Sequence, residues 1–142
     1  MARTQGSQVK AVTVGLRKIG LFSGRFDPVH TGHIVSLLRL TKRYRKLIIV
    51  ILWYKNRRYP ACLSKQIIEE VFSYVPYCDV KVYINRTHFG KITKNEMDSF
   101  GQYDEYIAGN FKVLEHMESM GIPTYYTDRA YLYRATNTIL KE

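Results

Sequence analysis

Apolar positions along the chain fall into two kinds of run that alternate. Residues 19–23 open with Ile19-Gly20-Leu21-Phe22 and read as a strand. Over residues 34–45, Ile34, Leu37, Leu38 and Leu40 recur at helical spacing. The seven residues Leu47-Ile48-Ile49-Val50-Ile51-Leu52-Trp53 are continuously apolar, as in a strand covered on both faces. Ser64 can cap a helix running to about residue 74, with Ile67, Ile68, Val71 and Phe72 as its inner face. Residues 80–84 alternate and predict the next strand. Residues 103–108 are strand-like and stop at Gly109-Asn110, and residues 111–120 form a helix closed by Gly121. Residues 124–126 predict a short strand and residues 136–141 a closing helix. The stretch 85–102 is the least regular, a loop with a short helix at 94–100. Residues 1–17 carry Gln, Ser, Thr and Gly among scattered apolar positions and read as a flexible lead-in, with a short edge strand at 9–14 left open.

Strand–helix alternation of this kind predicts an α/β fold: a Rossmann-like parallel sheet with helices on both faces, in a single domain over residues 18–142. Ligands of such sheets bind beyond the carboxyl ends of the strands. Composition agrees, with 46% hydrophobic and 24% charged residues in a 142-residue chain, enough for a core. No stretch approaches the roughly 18–20 apolar residues of a membrane helix, and no signal peptide is visible, so no membrane partner is expected. Cys62 and Cys78 make neither a metal-ligand pair nor a disulfide framework, and the expected setting is a reduced cytoplasm. The net charge of +10 raises the local concentration of anionic partners. Much of it lies in Lys42-Arg43-Tyr44-Arg45-Lys46, which reads as the end of a helix, and in Lys55-Asn56-Arg57-Arg58, which follows a strand and is better placed for function.

The chemistry concentrates in Ser23-Gly24-Arg25-Phe26-Asp27-Pro28-Val29-His30-Thr31-Gly32-His33, between the first strand and a helix. A helix N-terminus offers unpaired N–H groups and a positive dipole end, which together bind anions. Gly24 and Gly32 let the backbone approach a phosphate without a Cβ in the way. His30 and His33, three positions apart, face one side of a first helical turn and can hydrogen-bond one phosphate chain. The pattern is that of a nucleoside triphosphate site.

Phe26-Asp27-Pro28-Val29-His30-Thr31-Gly32-His33 resembles the signature of the His-x-Gly-His nucleotidyltransferase superfamily. That superfamily includes cytidylyltransferases, nicotinamide mononucleotide adenylyltransferases and phosphopantetheine adenylyltransferase. In size and layout the chain is most similar to the glycerol-3-phosphate cytidylyltransferase branch. The resemblance implies transfer of a nucleoside monophosphate, CMP or AMP, to a phosphorylated small-molecule acceptor with release of pyrophosphate. It implies His30, His33 and Lys55 as catalytic residues. Phe22, Ser23, Gly24, Gly32, Gly109, Arg129 and Thr136 would join the two histidines around the nucleotide. Mg²⁺ would arrive with the triphosphate rather than in a protein cage. The size and the closing element, with Arg129 and Ala135-Thr136-Asn137-Thr138-Ile139, tilt the donor slightly toward CTP; Arg25 and Phe26-Asp27-Pro28-Val29 tilt it toward ATP.

Two other readings stay open. Lys65-Gln66-Ile67-Ile68 stands where the family often has an arginine, and Ala135 where a serine is usual, which fits a nucleotide-binding module without catalysis. Charge alone favours a nucleic-acid binder, without an RNA-binding signature to support it. Self-association is left open. Asp27 serves either a metal or substrate, or its own turn; Trp53 either lines a base pocket or packs. His88 and His116 read as surface residues.

Overall fold

Five strands pair in parallel: β1 (Lys18–Gly24), β2 (Tyr44–Leu52), β3 (Asp79–Asn85), β4 (Glu105–Ala108) and β5 (Thr124–Tyr126). Their order across the sheet is β3-β2-β1-β4-β5 in a computed structural model that describes residues 17–53, 55–86 and 94–127. The helices among these residues are α1 (Thr31–Thr41), α2 (Ala61–Phe72), α3 (Lys94–Ser99) and α4 (Phe111–Ser119).

The continuous apolar run in β2 is explained by burial on both faces, since successive strand residues point to opposite sides. Leu47, Ile49 and Ile51 join Leu37 and Leu40 of α1 and Ile68 and Phe72 of α2 in one core. Ile48 and Val50 join Met97 of α3 and Leu114 and Met117 of α4 in the other. The chain winds outward from β1 through β2 to β3 over the first face, then returns to β4 beside β1 and continues to β5. The direction of winding therefore reverses between β1 and β4, the position where open sheets of this kind leave a crevice at their carboxyl ends. The Rossmann-like α/β architecture read from the alternation is the observed one. Among the described residues no helix is long and apolar enough to cross a membrane.

Several boundaries differ from the periodicity. α1 begins at Thr31 and ends at Thr41, so Tyr44 and Arg45 belong to β2 rather than to a helix end. The reason is the fully buried Tyr44, whose hydroxyl donates to Glu105 at 2.8 Å across the sheet. α2 begins at Ala61 after Pro60, so Ser64 lies inside the helix and does not cap it. β4 starts at Glu105, two residues later than its apolar pattern suggests. The strand at 9–14, the helix at 136–141 and His88 lie outside the described residues.

Glu105 gathers the cations at the amino end of the sheet, with Lys18 at 3.0 Å and Arg43 at 3.5 Å. The Arg43 guanidinium also covers the Tyr125 ring at 3.7 Å from its centroid. Burial alone would push the Glu105 carboxyl up, but hydrogen bonds from Tyr44 and Lys18 and the charges of Lys18 and Arg43 outweigh it and hold it below the usual range. Because the folded-state value is lowered, the stabilisation is present above the unfolded carboxyl's range and is lost as pH falls through the folded value.

Glu105→Ala removes the acceptor of a buried hydroxyl and is expected to cost about 1–3 kcal/mol in urea unfolding at pH 7. The difference from the parent chain should shrink as pH falls below about 4; a difference independent of pH would refute this account. Gly20 sits between neighbours with no room for a side chain, a Cβ there meeting Ile107 Cδ1 at 2.6 Å and the Tyr44 ring at 2.9 Å. Gly20→Ala should destabilise by about 1–3 kcal/mol, and an unchanged denaturation midpoint would contradict that packing.

Candidate active site

The connection from β1 to α1 runs across the carboxyl end of the sheet, and its main-chain polar groups cannot be satisfied by a ladder or a helix. Side chains from α2 and from the connection between β2 and α2 satisfy them. The buried Ser64 hydroxyl donates to the Phe26 carbonyl at 2.7 Å and accepts from the Val29 N–H at 3.1 Å. The Arg57 guanidinium donates to the carbonyls of Phe26 at 2.7 Å, Leu52 at 3.1 Å and Tyr59 at 2.9 Å, and also to that of Arg25. In return the Asp27 carboxylate accepts the N–H groups of Arg58, at 2.9 and 3.1 Å, and Tyr59, at 2.8 Å. Asp27 thus organises the neighbouring basic loop through its main chain. Phe26 adopts a positive φ of 46°, held by its buried ring and doubly bonded carbonyl.

That scaffold delivers His30 as the N-cap of α1 and His33 as its third residue, in a reciprocal box. The His33 N–H donates to His30 Nδ1 at 3.4 Å, and the His30 N–H donates to His33 Nδ1 at 3.1 Å. The two rings stack with centroids 3.7 Å apart and planes 23° from parallel, and Phe26 packs edge-on against His33 at 4.8 Å. An Nδ1 that accepts a hydrogen bond carries no proton, so each neutral ring presents its N–H at Nε2. The first turn of α1 contains no acidic residue, and its dipole field is therefore not offset there. Helix geometry leaves the N–H groups of Thr31 and Gly32 without intrahelical acceptors.

Around this centre the other sequence-derived candidates separate. Gly24 ends β1, where a Cβ would press on the Phe26 ring at 3.1 Å. The Ser23 hydroxyl is hydrogen-bonded to the hydroxyl of Tyr106 on β4, while Phe22 turns its ring into the core. Gly109 is exposed after β4, followed by Asn110, whose side chain caps α4 through the Lys112 N–H at 2.8 Å. Lys55 is exposed and lines a cavity of about 450 Å³ beside the motif, together with Trp53, Arg58, Tyr59 and Arg86. Trp53 therefore stands at a cavity wall. His116 is exposed near the end of α4. Arg129 and Thr136 lie outside the described residues.

Pattern reading missed the part played by Ser64 and Arg57 in holding the motif, because both act on main-chain atoms distant in sequence. It also missed Arg86, which one available signal marks: a cation directly after a strand stands at the carboxyl edge of the sheet.

No model of a known protein family matches the chain. It is 29% identical over 70 residues to a phosphopantetheine adenylyltransferase of Desulfatibacillum aliphaticivorans, a match covering 48% of this chain and 40% of that protein. A phosphopantetheine adenylyltransferase of Alkaliphilus metalliredigens is 28% identical over 67 residues, covering 46% and 41%. The matches thus span about two fifths of the length of these curated relatives. Among solved structures, a lipopolysaccharide core biosynthesis protein from Thermoplasma volcanium superposes with a TM-score of 0.54 at 16% identity, over 77% of this chain and 93% of that one. The last likeness concerns the fold alone. With the motif set at the carboxyl end of a parallel sheet, and with the curated relatives carrying the sequence likeness, the chain is similar to the His-x-Gly-His nucleotidyltransferase superfamily.

Proposed function

We propose that the chain transfers a nucleoside monophosphate from a nucleoside triphosphate to an anionic small-molecule acceptor and releases pyrophosphate. The observation that carries this reading is the reciprocal histidine box at the start of α1, with two Nε2–H donors side by side on rings 3.7 Å apart. An oxygen of the acceptor attacks the α-phosphorus, and the bond from that phosphorus to the bridging oxygen of the β-phosphate breaks. The electron pair leaves with pyrophosphate, so negative charge grows on the bridging oxygen and across the α-phosphoryl oxygens. Donors fixed in advance by main-chain bonds stabilise that charge without reorganising, which is how phosphoryl-type transfers gain most of their rate.

The helix start adds two N–H groups and its dipole to the same region. Lys55, on the loop whose main chain is bonded to Asp27, would neutralise the acceptor or the triphosphate. From the family resemblance, Arg129 would hold the β- and γ-phosphates and Thr136 would line the nucleotide. Magnesium enters as part of the substrate, chelated by the triphosphate. Among the described residues no group of three His, Cys, Asp or Glu side chains is arranged to hold a metal, and the Asp27 carboxylate is engaged with two N–H groups. The curated relatives are named adenylyltransferases, and we take ATP as the donor ahead of the CTP that chain size and layout favour.

His33→Ala should lower the rate of magnesium-dependent pyrophosphate release by at least about two orders of magnitude, the scale of losing a preorganised donor. His30→Ala should do the same. Their circular dichroism should match the parent chain, because both rings are only partly buried. Near-normal turnover in His33→Ala would sink the catalytic assignment. Absence of calorimetric binding of both magnesium ATP and magnesium CTP would sink nucleotide recognition altogether.

A further inference from the structure

Six cations stand in two short segments at the amino end of the sheet, Arg17-Lys18 and Lys42-Arg43-Tyr44-Arg45-Lys46. The end of α1 accounts for part of this, because cations complement a helix C-terminus, but Lys18, Arg45 and Lys46 belong to strands. An irregularity in the pairing of β1 with β2 presents them. Lys18 is opposite Tyr44 and Ile19 is opposite Lys46, so Arg45 is an additional residue. Tyr44 and Leu47 therefore join the same core although they are three residues apart, where plain alternation would put them on opposite faces. Tyr44 is buried, while Arg45 is left exposed and Lys46 half-buried.

The nearby carboxylates are engaged elsewhere. Glu105 takes Lys18 and Arg43, Asp79 lies 3.6 Å from Lys81, and Asp104 accepts the Ile19 N–H at 2.7 Å. Asp98 and Glu118 precede β4 and β5 and are bonded to Lys94 and Thr124. Lys42, Arg45 and Lys46 form no ion pair with a described residue.

The arrangement selects among anions. None of the six lines the cavity beside the histidine motif, which lies at the opposite end of the sheet. They are strung along an open edge where neighbouring strands are about 4.8 Å apart, which suits a chain of phosphates better than one small anion. Exposed rings lie alongside. α2 runs back across the sheet, so Tyr74 and Tyr77 emerge after it at the amino end, 82% and 47% exposed. The Thr41 hydroxyl donates to the Tyr77 hydroxyl at 3.4 Å, which sets that ring beside the end of α1 and Lys42. Such rings stack on unpaired bases whatever their sequence. The exposed aliphatic side chains of α2, Leu63 and Ile67, come earlier in the helix, so neither stands among these cations for insertion into a lipid surface.

We propose that the amino end of the sheet binds single-stranded nucleic acid, with Lys42, Arg45 and Lys46 on the phosphate backbone and Tyr74 and Tyr77 stacking on bases. The surface is separate from the histidine motif, and the proposal stands independently of the nucleotidyl-transfer reading.

Fluorescence anisotropy of a labelled oligouridylate of about twenty nucleotides, titrated with the full chain from about 50 to 200 mM salt, tests it. Binding should be saturable and weaken as salt rises. The triple variant Lys42→Gln, Arg45→Gln, Lys46→Gln should bind at least about tenfold more weakly at the lowest salt, and its plot of log affinity against log salt should be shallower by about 2. Arg45→Gln alone should make it shallower by about 0.7. A charge-matched control, Arg58→Gln, Arg86→Gln, Lys112→Gln, should stay within about threefold of the parent chain. Tyr77→Ala should weaken binding at least about fivefold without changing the slope, and Tyr77→Phe should retain it. Magnesium ATP or CTP should not displace the oligonucleotide. No binding at the lowest salt, equal losses in the triple variant and the control, or displacement by a triphosphate would overturn the proposal. Binding to phosphatidylserine vesicles without binding to the oligonucleotide would overturn it in favour of a lipid surface, and unchanged affinity in Tyr77→Ala would refute the stacking.

Discussion

Main-chain groups in the connection between β1 and α1 have to be satisfied away from water by something other than regular structure, and nearly everything at the carboxyl end of the sheet follows from how this is done. The Phe26 carbonyl takes two donors, Ser64 and Arg57, and the Val29 N–H finds the Ser64 hydroxyl. Asp27 answers by accepting two N–H groups from the loop after β2. Two connections far apart in sequence are thereby locked as one unit. The unit fixes where α1 begins, and so where the histidines stand.

Once α1 begins at Thr31, the histidine pair is settled by short-range geometry. His30 at the cap and His33 one turn on are at the spacing where each ring can accept the other's N–H. These bonds use the inner nitrogens and leave the outer ones as donors, so the capping interaction and the proposed catalytic orientation are the same interaction. A substitution that freed either ring would both loosen the helix start and misalign a donor.

Six of the cations divide into three groups. At the amino end of the sheet, Lys18 and Arg43 are held by Glu105, beneath the Tyr44 hydroxyl. At the carboxyl end, Arg57 is a strut between main-chain carbonyls. Lys55, Arg58 and Arg86 line a cavity with no carboxylate among the described residues of its wall. One carboxylate thus gathers two cations at the amino end of the sheet, while three cations cluster at the carboxyl end, beside the site read as binding phosphates.

Much of this was legible before folding was considered. The continuous run of β2 announced a strand buried on both faces, and the alternation of apolar periods announced a parallel sheet with helices on both sides. The glycine- and histidine-bearing segment after β1 announced an anion site, because helix starts, missing Cβ atoms and imidazole spacing are local properties. Tertiary structure alone decided what depended on partners remote in sequence. Ser64 reads as a helix cap by local preference, yet its hydroxyl crosses 38 positions to reach Phe26. Arg57 and Arg58 are adjacent and alike in sequence, but only the Arg57 guanidinium points into the carbonyls of the neighbouring loop. Arg86 gained a place beside Lys55 only when β3 paired with β2. Propensity and spacing act over a few residues, whereas the role of a charge or a buried hydroxyl is set by whichever groups the sheet brings to it.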